Sequence, residues 1–109
     1  GGVVLAIKAA NNFIRKTKLK LKIEVEARNM EELEYILQVG KVNRIMLDNF
    51  NPQEMAKAVK LINGRYETEA SGGINENNIA EFARTGVDFI SVGAITHSAP
   101  SLDLSLKAI

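Results

Sequence analysis

The chain has 109 residues, 46% of them hydrophobic and 25% charged, with a formal net charge of +1, the composition of a single globular domain. Near-neutral charge with Lys and Arg spread along the sequence argues against a nucleic-acid surface, and the absence of cysteine excludes a disulfide framework, thiol chemistry and Cys-based metal sites. No apolar run approaches the roughly 20 residues that span a bilayer, and Lys8 and Asn11-Asn12 interrupt the apolar start, so neither a membrane span nor a signal peptide is expected and a cytoplasmic location is.

Taken in chain order, Val4, Ile7, Ala10, Phe13 and Ile14 have the spacing of an amphipathic helix over residues 3–17. The basic run Arg15-Lys16-Thr17-Lys18, with Lys20 and Lys22, reads as a solvated helix end whose cations complement the macrodipole. From Leu19 to Glu26 the sequence alternates apolar and polar residues, the pattern of a strand with one apolar face. Asn29 followed by Glu32 predicts the start of a second helix, which carries Met30, Leu33, Ile36 and Leu37 and stops at Gly40. A strand over Arg44–Asp48 follows. Asn51-Pro52-Gln53-Glu54 opens a third helix, burying Met55, Val59 and Leu61-Ile62 and ending at Gly64. Strands are predicted over Tyr66–Ser71 and Val87–Val92, with a helix near Glu76–Thr85 between them; Leu102–Leu106 is either extended or a helical turn.

The order is therefore α-β-α-β-α-β-α-β with a tail. Strand starts recur every 20–25 residues or so, the length of a compact βα unit, and such crossovers imply parallel strands. A parallel α/β protein gathers its strand ends on one rim, where its ligands bind. Glu26 and Asp48 end two neighbouring strands, where they are placed to hold Mg²⁺ through waters, accept from ribose hydroxyls or stabilise a cationic sugar carbon. Capping the next helix is the structural alternative for each. Ser71-Gly72-Gly73 follows the third strand and Gly93-Ala94 the fourth. Glycines there let backbone amides approach an anion, and paired loops after consecutive strands make a phosphate clamp. Glu24 and Glu69 share the polar face, where salt bridges to Lys20 or Lys22 are expected. His97, the only histidine, is read as a rim residue that either bonds its loop or contacts substrate.

Five segments in order carry a resemblance: Lys22-Ile23-Glu24-Val25-Glu26, Ile45-Met46-Leu47-Asp48-Asn49-Phe50, Glu69-Ala70-Ser71-Gly72-Gly73-Ile74, Gly86-Val87-Asp88-Phe89-Ile90-Ser91-Val92-Gly93-Ala94 and Thr96-His97-Ser98-Ala99-Pro100. The series resembles the C-terminal part of the quinolinate phosphoribosyltransferases. The resemblance implies parallel (β/α) units forming roughly half of an open TIM-like barrel, where a complete barrel takes about 250 residues. It also implies Mg²⁺ as cofactor and quinolinate and phosphoribosyl pyrophosphate as substrates. The products would be nicotinate mononucleotide, pyrophosphate and CO₂, a step of NAD biosynthesis, in a homo-oligomer built on dimers. Carried over by position, Glu26 and Asp48 match the family's acidic pair near ribose and metal, and Ser71, Gly72, Gly73, Gly93 and Ala94 its 5′-phosphate loops.

The resemblance places the family's N-terminal domain, first barrel strands and quinolinate-gripping basic residues before the position of Gly1, and none of Lys8, Arg15 or Lys16 matches those residues. Residues 1–109 are accordingly expected to be a C-terminal part of the barrel domain, supplying the ribose and phosphate half of the site. Two alternatives remain open. One is another phosphate-binding barrel enzyme, as in histidine or tryptophan synthesis; the other is a non-catalytic half-barrel that only binds.

Overall fold

A computed structural model describes residues 2–18, 21–94 and 102–107, the last two residues of the middle span and all of the final one by their backbone alone. In chain order the elements are α1 (Gly2–Thr17), β1 (Glu24–Ala27), α2 (Met30–Val39), β2 (Arg44–Asp48), α3 (Pro52–Ile62), β3 (Glu67–Ser71), α4 (Ile79–Ala83), β4 (Phe89–Ala94) and β5 (Leu102–Lys107). The sheet order is β1-β2-β3-β4-β5. The first four strands are parallel, each joined to the next by a helix, which is the α/β arrangement expected of consecutive βα units. The tail is a strand. It pairs antiparallel with β4, from Phe89 opposite Lys107 to Ala94 opposite Leu102, and so covers the edge that β4 would otherwise leave open.

One face of the sheet is packed and the other is polar. Ile45 and Leu47 of β2, with Ala27, Ala70 and Ile90 of its neighbours, meet Leu33 and Ile36 of α2, Met55, Ala58 and Ile62 of α3 and Phe82 of α4. The period of two along β2 sends Arg44, Met46 and Asp48 to the opposite face. In the parallel register Glu24, Arg44 and Glu67 stand in one row across β1, β2 and β3, and Glu26, Met46 and Glu69 in the next. That polar face is the one that lines the inside of an α/β barrel.

Local chemistry sets the element ends. Asn51 and Glu54 form a complete capping box, with Pro52 at the first helical turn. At α2, Asn29 accepts from the Glu32 amide at 2.8 Å, but the Glu32 carboxylate takes the Arg28 amide at 2.8 Å. Gly40 ends α2 at φ 65°, where a Cβ would lie 2.7 Å from the Tyr66 hydroxyl, so the position tolerates no side chain.

Three expectations are corrected. Of the predicted strand Leu19–Glu26, residues 19–20 lie outside the described residues, and from residue 21 on β1 begins only at Glu24, because β2 begins at Arg44, the partner of Glu24. Before that point Asn43 ends the ladder: its side chain accepts from the Ile23 amide at 2.6 Å while its own amide donates to Ile23 O at 2.8 Å. Leu21 is left 51% exposed. On α1, Ile7 is buried but Phe13 is 55% exposed, since the helix packs against α2 and leaves that flank uncovered. The fourth helix is shorter than Glu76–Thr85, because Asn75–Asn78 forms a side-chain-bonded turn instead of a first helical turn.

Leu33 has no exposed surface and stands where α2 meets the sheet. Leu33→Ala is expected to cost about 2–5 kcal/mol in urea unfolding of the chain, the range for emptying such a site. Leu61→Ala, at a residue 42% exposed, should stay within about 0.5 kcal/mol.

Candidate functional site

The sheet register assembles the rim. Asp48 is the last residue of β2 and lies opposite Ser71, the last residue of β3, while Glu26 enters from the neighbouring end of β1. Glu26 and Asp48 are hydrogen-bonded carboxyl groups, and that bond is the first reason the Glu26 pKa stands above its ordinary 4.5. Lost hydration and the Asp48 charge push the same way, and the Arg28 guanidinium opposes them. The Ser71 hydroxyl approaches Asp48 Oδ1 at 3.4 Å and fixes the far side of the pair.

Gly72 and Gly73 continue from Ser71 with φ values of 87° and 68°, a conformation that glycine adopts without steric cost. At Gly72 there is a second requirement. A Cβ would lie 2.8 Å from Asp48 Oδ1 and 2.9 Å from the Asn49 amide nitrogen. Asn49, itself at φ 62°, donates its amide to Ser71 O at 2.8 Å, so the turns after β2 and β3 are locked together. Around Gly73 a Cβ would meet nothing within 4 Å. The turn is held from beyond by Asn78, which donates to Gly73 O at 2.9 Å and accepts from the Asn75 amide at 2.8 Å. An open cavity of about 310 Å³ adjoins this turn, bordered by Asn49, Asn51, Gly72, Gly73 and Asn78.

Below the rim, one cation, Arg44, stands among the carboxylates of the polar face. Arg44 pairs with Glu69 at 3.2 Å and Glu67 at 3.5 Å and stacks 4.0 Å from the centre of the Phe89 ring. Glu69, buried, also accepts from the Ser91 hydroxyl at 2.6 Å. Glu24 lies against Glu69, and lost hydration followed by the Glu69 charge raises its carboxyl pKa. Among the described residues the partner of Glu69 is thus Arg44 rather than Lys22, and Lys20 lies outside them. Arg44 has no place in the sequence reading of the site, though its period-two relation to Met46 and Asp48 puts it on this face.

The structure brings Glu26, Asp48, Ser71, Gly72 and Gly73 together. Gly93 and Ala94 are strand residues, opposite Asp103 and Leu102 across the β4–β5 ladder, so the expected pair of glycine turns reduces to one turn beside a strand end. The short α4 also gives that turn a weaker helix terminus than the sequence implies. His97 lies outside the described residues. Among the described residues no three His, Cys, Asp or Glu side chains converge as a metal-ligand group, and no helix is long and apolar enough to cross a membrane.

Two outcomes follow from this geometry. A raised carboxyl pKa means that Glu26 favours folding most below the ordinary carboxylate range, and that contribution is lost as pH rises through the raised value. Asp48→Asn should return Glu26 towards 4.5 in a carboxyl-carbon NMR titration; an unmoved midpoint would show that Asp48 does not set it. Gly72→Val should destabilise the chain by about 1–3 kcal/mol through a strained left-handed backbone and a direct clash. Gly73→Ala, with open space, should cost less in the same urea titration.

Comparisons with known proteins identify the family. Residues 1–107 match the family described as quinolinate phosphoribosyl transferase, C-terminal domain. The chloroplastic carboxylating nicotinate-nucleotide pyrophosphorylase of Arabidopsis thaliana is 40% identical over 98% of this chain and 35% of its own length. A probable carboxylating nicotinate-nucleotide pyrophosphorylase of Methanocaldococcus jannaschii is 44% identical over 99% of this chain and 39% of its own. The solved nicotinate-nucleotide pyrophosphorylase of Francisella tularensis superposes with a TM-score of 0.77 at 38% identity, covering 98% of this chain and 37% of that one. The chain thus spans a little over a third of the length of these relatives. With the family match running almost end to end and the fold shared, the chain belongs to the quinolinate phosphoribosyl transferase family, as its C-terminal domain.

Proposed function

We propose that this chain forms the ribose and phosphate half of a site that transfers a phosphoribosyl group from phosphoribosyl pyrophosphate to quinolinate. Nicotinate mononucleotide, pyrophosphate and CO₂ would be released, a pentosyl transfer in NAD biosynthesis. The observation that carries the reading is the placing of Glu26 and Asp48, on adjacent strand ends, beside the Ser71-Gly72-Gly73 turn. Family membership supports it.

The chemistry suits the residues. As pyrophosphate leaves the anomeric carbon, positive charge grows on the ribose ring. A carboxylate pair facing that ring stabilises the transition state more than the neutral-ring ground state, which is what lowers a barrier. Glu26 and Asp48 are also acceptors for ribose hydroxyls, so they fix the sugar while they stabilise it. The Gly72 and Gly73 amides, unobstructed by side chains, are suited to donate to a 5′-phosphate, with the end of β4 beside them. His97, outside the described residues, stays a candidate for either loop bonding or substrate contact.

Mg²⁺ fits this donor set. Two adjoining carboxylates, with no third acidic group converging on them among the described residues, are what a hard cation meets when most of its ligands are water and substrate phosphate oxygens. Glu26 and Asp48 would hold it, directly or through water. It would neutralise the pair and the pyrophosphate charge. A homo-oligomer built on dimers and a cytoplasmic location complete the proposal.

A chimera tests it directly. Residues 1–107 replace the matched segment of the Methanocaldococcus jannaschii relative, and nicotinate mononucleotide formation from quinolinate is assayed. The chimera should be active, and Asp48→Asn within it should lower the rate by about 10²-fold or more, the scale for removing one electrostatic stabiliser. Equal rates with and without the Asp48→Asn change, and unchanged metal dependence, would make that carboxylate a structural cap.

A further inference from the structure

The charge of the chain is divided by position. Residues 1–23 hold six Lys and Arg and no acidic residue, and all 13 Asp and Glu lie from Glu24 onward. In the fold this basic segment is mainly α1, which packs along α2. Between the two helices lies a groove of about 830 Å³, within the range of small-molecule sites. Lys8 and Arg15 enter it from α1, Lys41 from the loop after α2, and no carboxylate lines it. Among the described residues, no carboxylate lies within ion-pair distance of any of the three cations.

The groove is shaped rather than loose. Asn11 bridges the helices' junction, its amide nitrogen 3.0 Å from Ile7 O and 3.0 Å from Lys41 O. Lys41 is held there in the left-handed backbone region, at φ 58°, which a β-carbon-bearing residue adopts only when its surroundings impose it. Arg15 reaches Asn12 Oδ1 at 3.4 Å, which steadies the guanidinium towards the groove. Val4 and Val39 supply an apolar part of the wall. Three like charges in one concavity repel one another, and an anion placed between them turns that repulsion into attraction.

We propose that the α1–α2 groove binds a small organic phosphate of the nucleotide class, its phosphate among Lys8, Arg15 and Lys41 and its apolar portion against Val4 and Val39. Guanidinium and ammonium groups together suit a phosphate, through planar two-point and single-point bonds respectively. The site is separate from the carboxylate rim. Lys41 precedes β2 and Asp48 ends it, so the two sites lie at opposite ends of that strand.

The test is an amide-resolved NMR titration of the full chain with AMP, adenosine and inorganic phosphate as probes. AMP should shift the amides of Lys8, Asn12 and Lys41, bind about tenfold or more tighter than either adenosine or phosphate, and weaken as salt is added. Lys8→Gln and Arg15→Gln should each weaken AMP by about tenfold, the loss of one charge-assisted contact. Lys16→Gln, on the same helix but outside the groove, should not. Should Arg15→Gln fail to fold, Lys8→Gln and Lys41→Gln give the same reading. Shifts confined to Gly72 and Gly73, equal binding of AMP and adenosine or of AMP and phosphate, or an equal loss from Lys16→Gln would overturn the proposal.

Discussion

The hydrogen bond from the Asn49 amide to Ser71 O carries the β2–β3 pairing one residue past the last strand position of β2. It is a small interaction, yet the rim depends on it. It holds the turn after β2 against the turn after β3, and only a glycine at 72 leaves room for that approach. Asp48 then has a fixed neighbour on each side: the Ser71 hydroxyl on β3 and the Glu26 carboxyl on β1. The register of three parallel strands thereby becomes the geometry of two carboxyl groups and a glycine turn.

The second constraint is the difference between the two sheet faces. Ile45 and Leu47 are wholly buried under α2 and α3, and every second residue between and beyond them faces the polar side. A one-residue slip of β2 would place Arg44 and Asp48 in the core, at a cost no partner there could offset. The packed face therefore enforces the register that the polar face uses. Interaction in the other direction is weaker, because the Arg44–Glu67 pair is partly solvated and such pairs contribute little.

Much of this was legible from residues alone, for identifiable reasons. Strong caps at Asn29 and Asn51 and the alternation through Arg44–Asp48 mark elements by local physics, and there the structure follows closely. The length of β1 was not legible, because a strand extends only as far as its partner does and Asn43 ends the ladder from across the sheet. Nor was the short α4: Asn75 and Asn78 divert their side chains to backbone groups and compete with the helix for its first turn. Gly93-Ala94 read as a turn because glycine after an apolar run usually is one. The decisive fact, a β5 strand opposite it, is a long-range pairing that composition does not encode. At the site, Glu26, Asp48 and Ser71 could be placed from strand parity, whereas the contact of the first two depends on the stagger between strands.

Charge along the polar face is arranged unevenly, and that unevenness has a chemical meaning. In the middle of the sheet Arg44 lies between two carboxylates and over an aromatic ring, so the local field is largely spent within the protein. At the rim the nearest cation, Arg28, is bonded to Glu32 through both its backbone amide and its guanidinium. Its pull on Glu26 is outweighed by Asp48 and by lost hydration, which is why the Glu26 carboxyl stands above its ordinary range. An acidic pair without a committed counter-ion is a poor stabiliser of a fold. It is, however, a ready partner for positive charge arriving from outside, whether a divalent cation or a ribose ring losing its leaving group. Arg44 is committed to carboxylates in the middle of the sheet, and the two that face the open end are left without a committed cation.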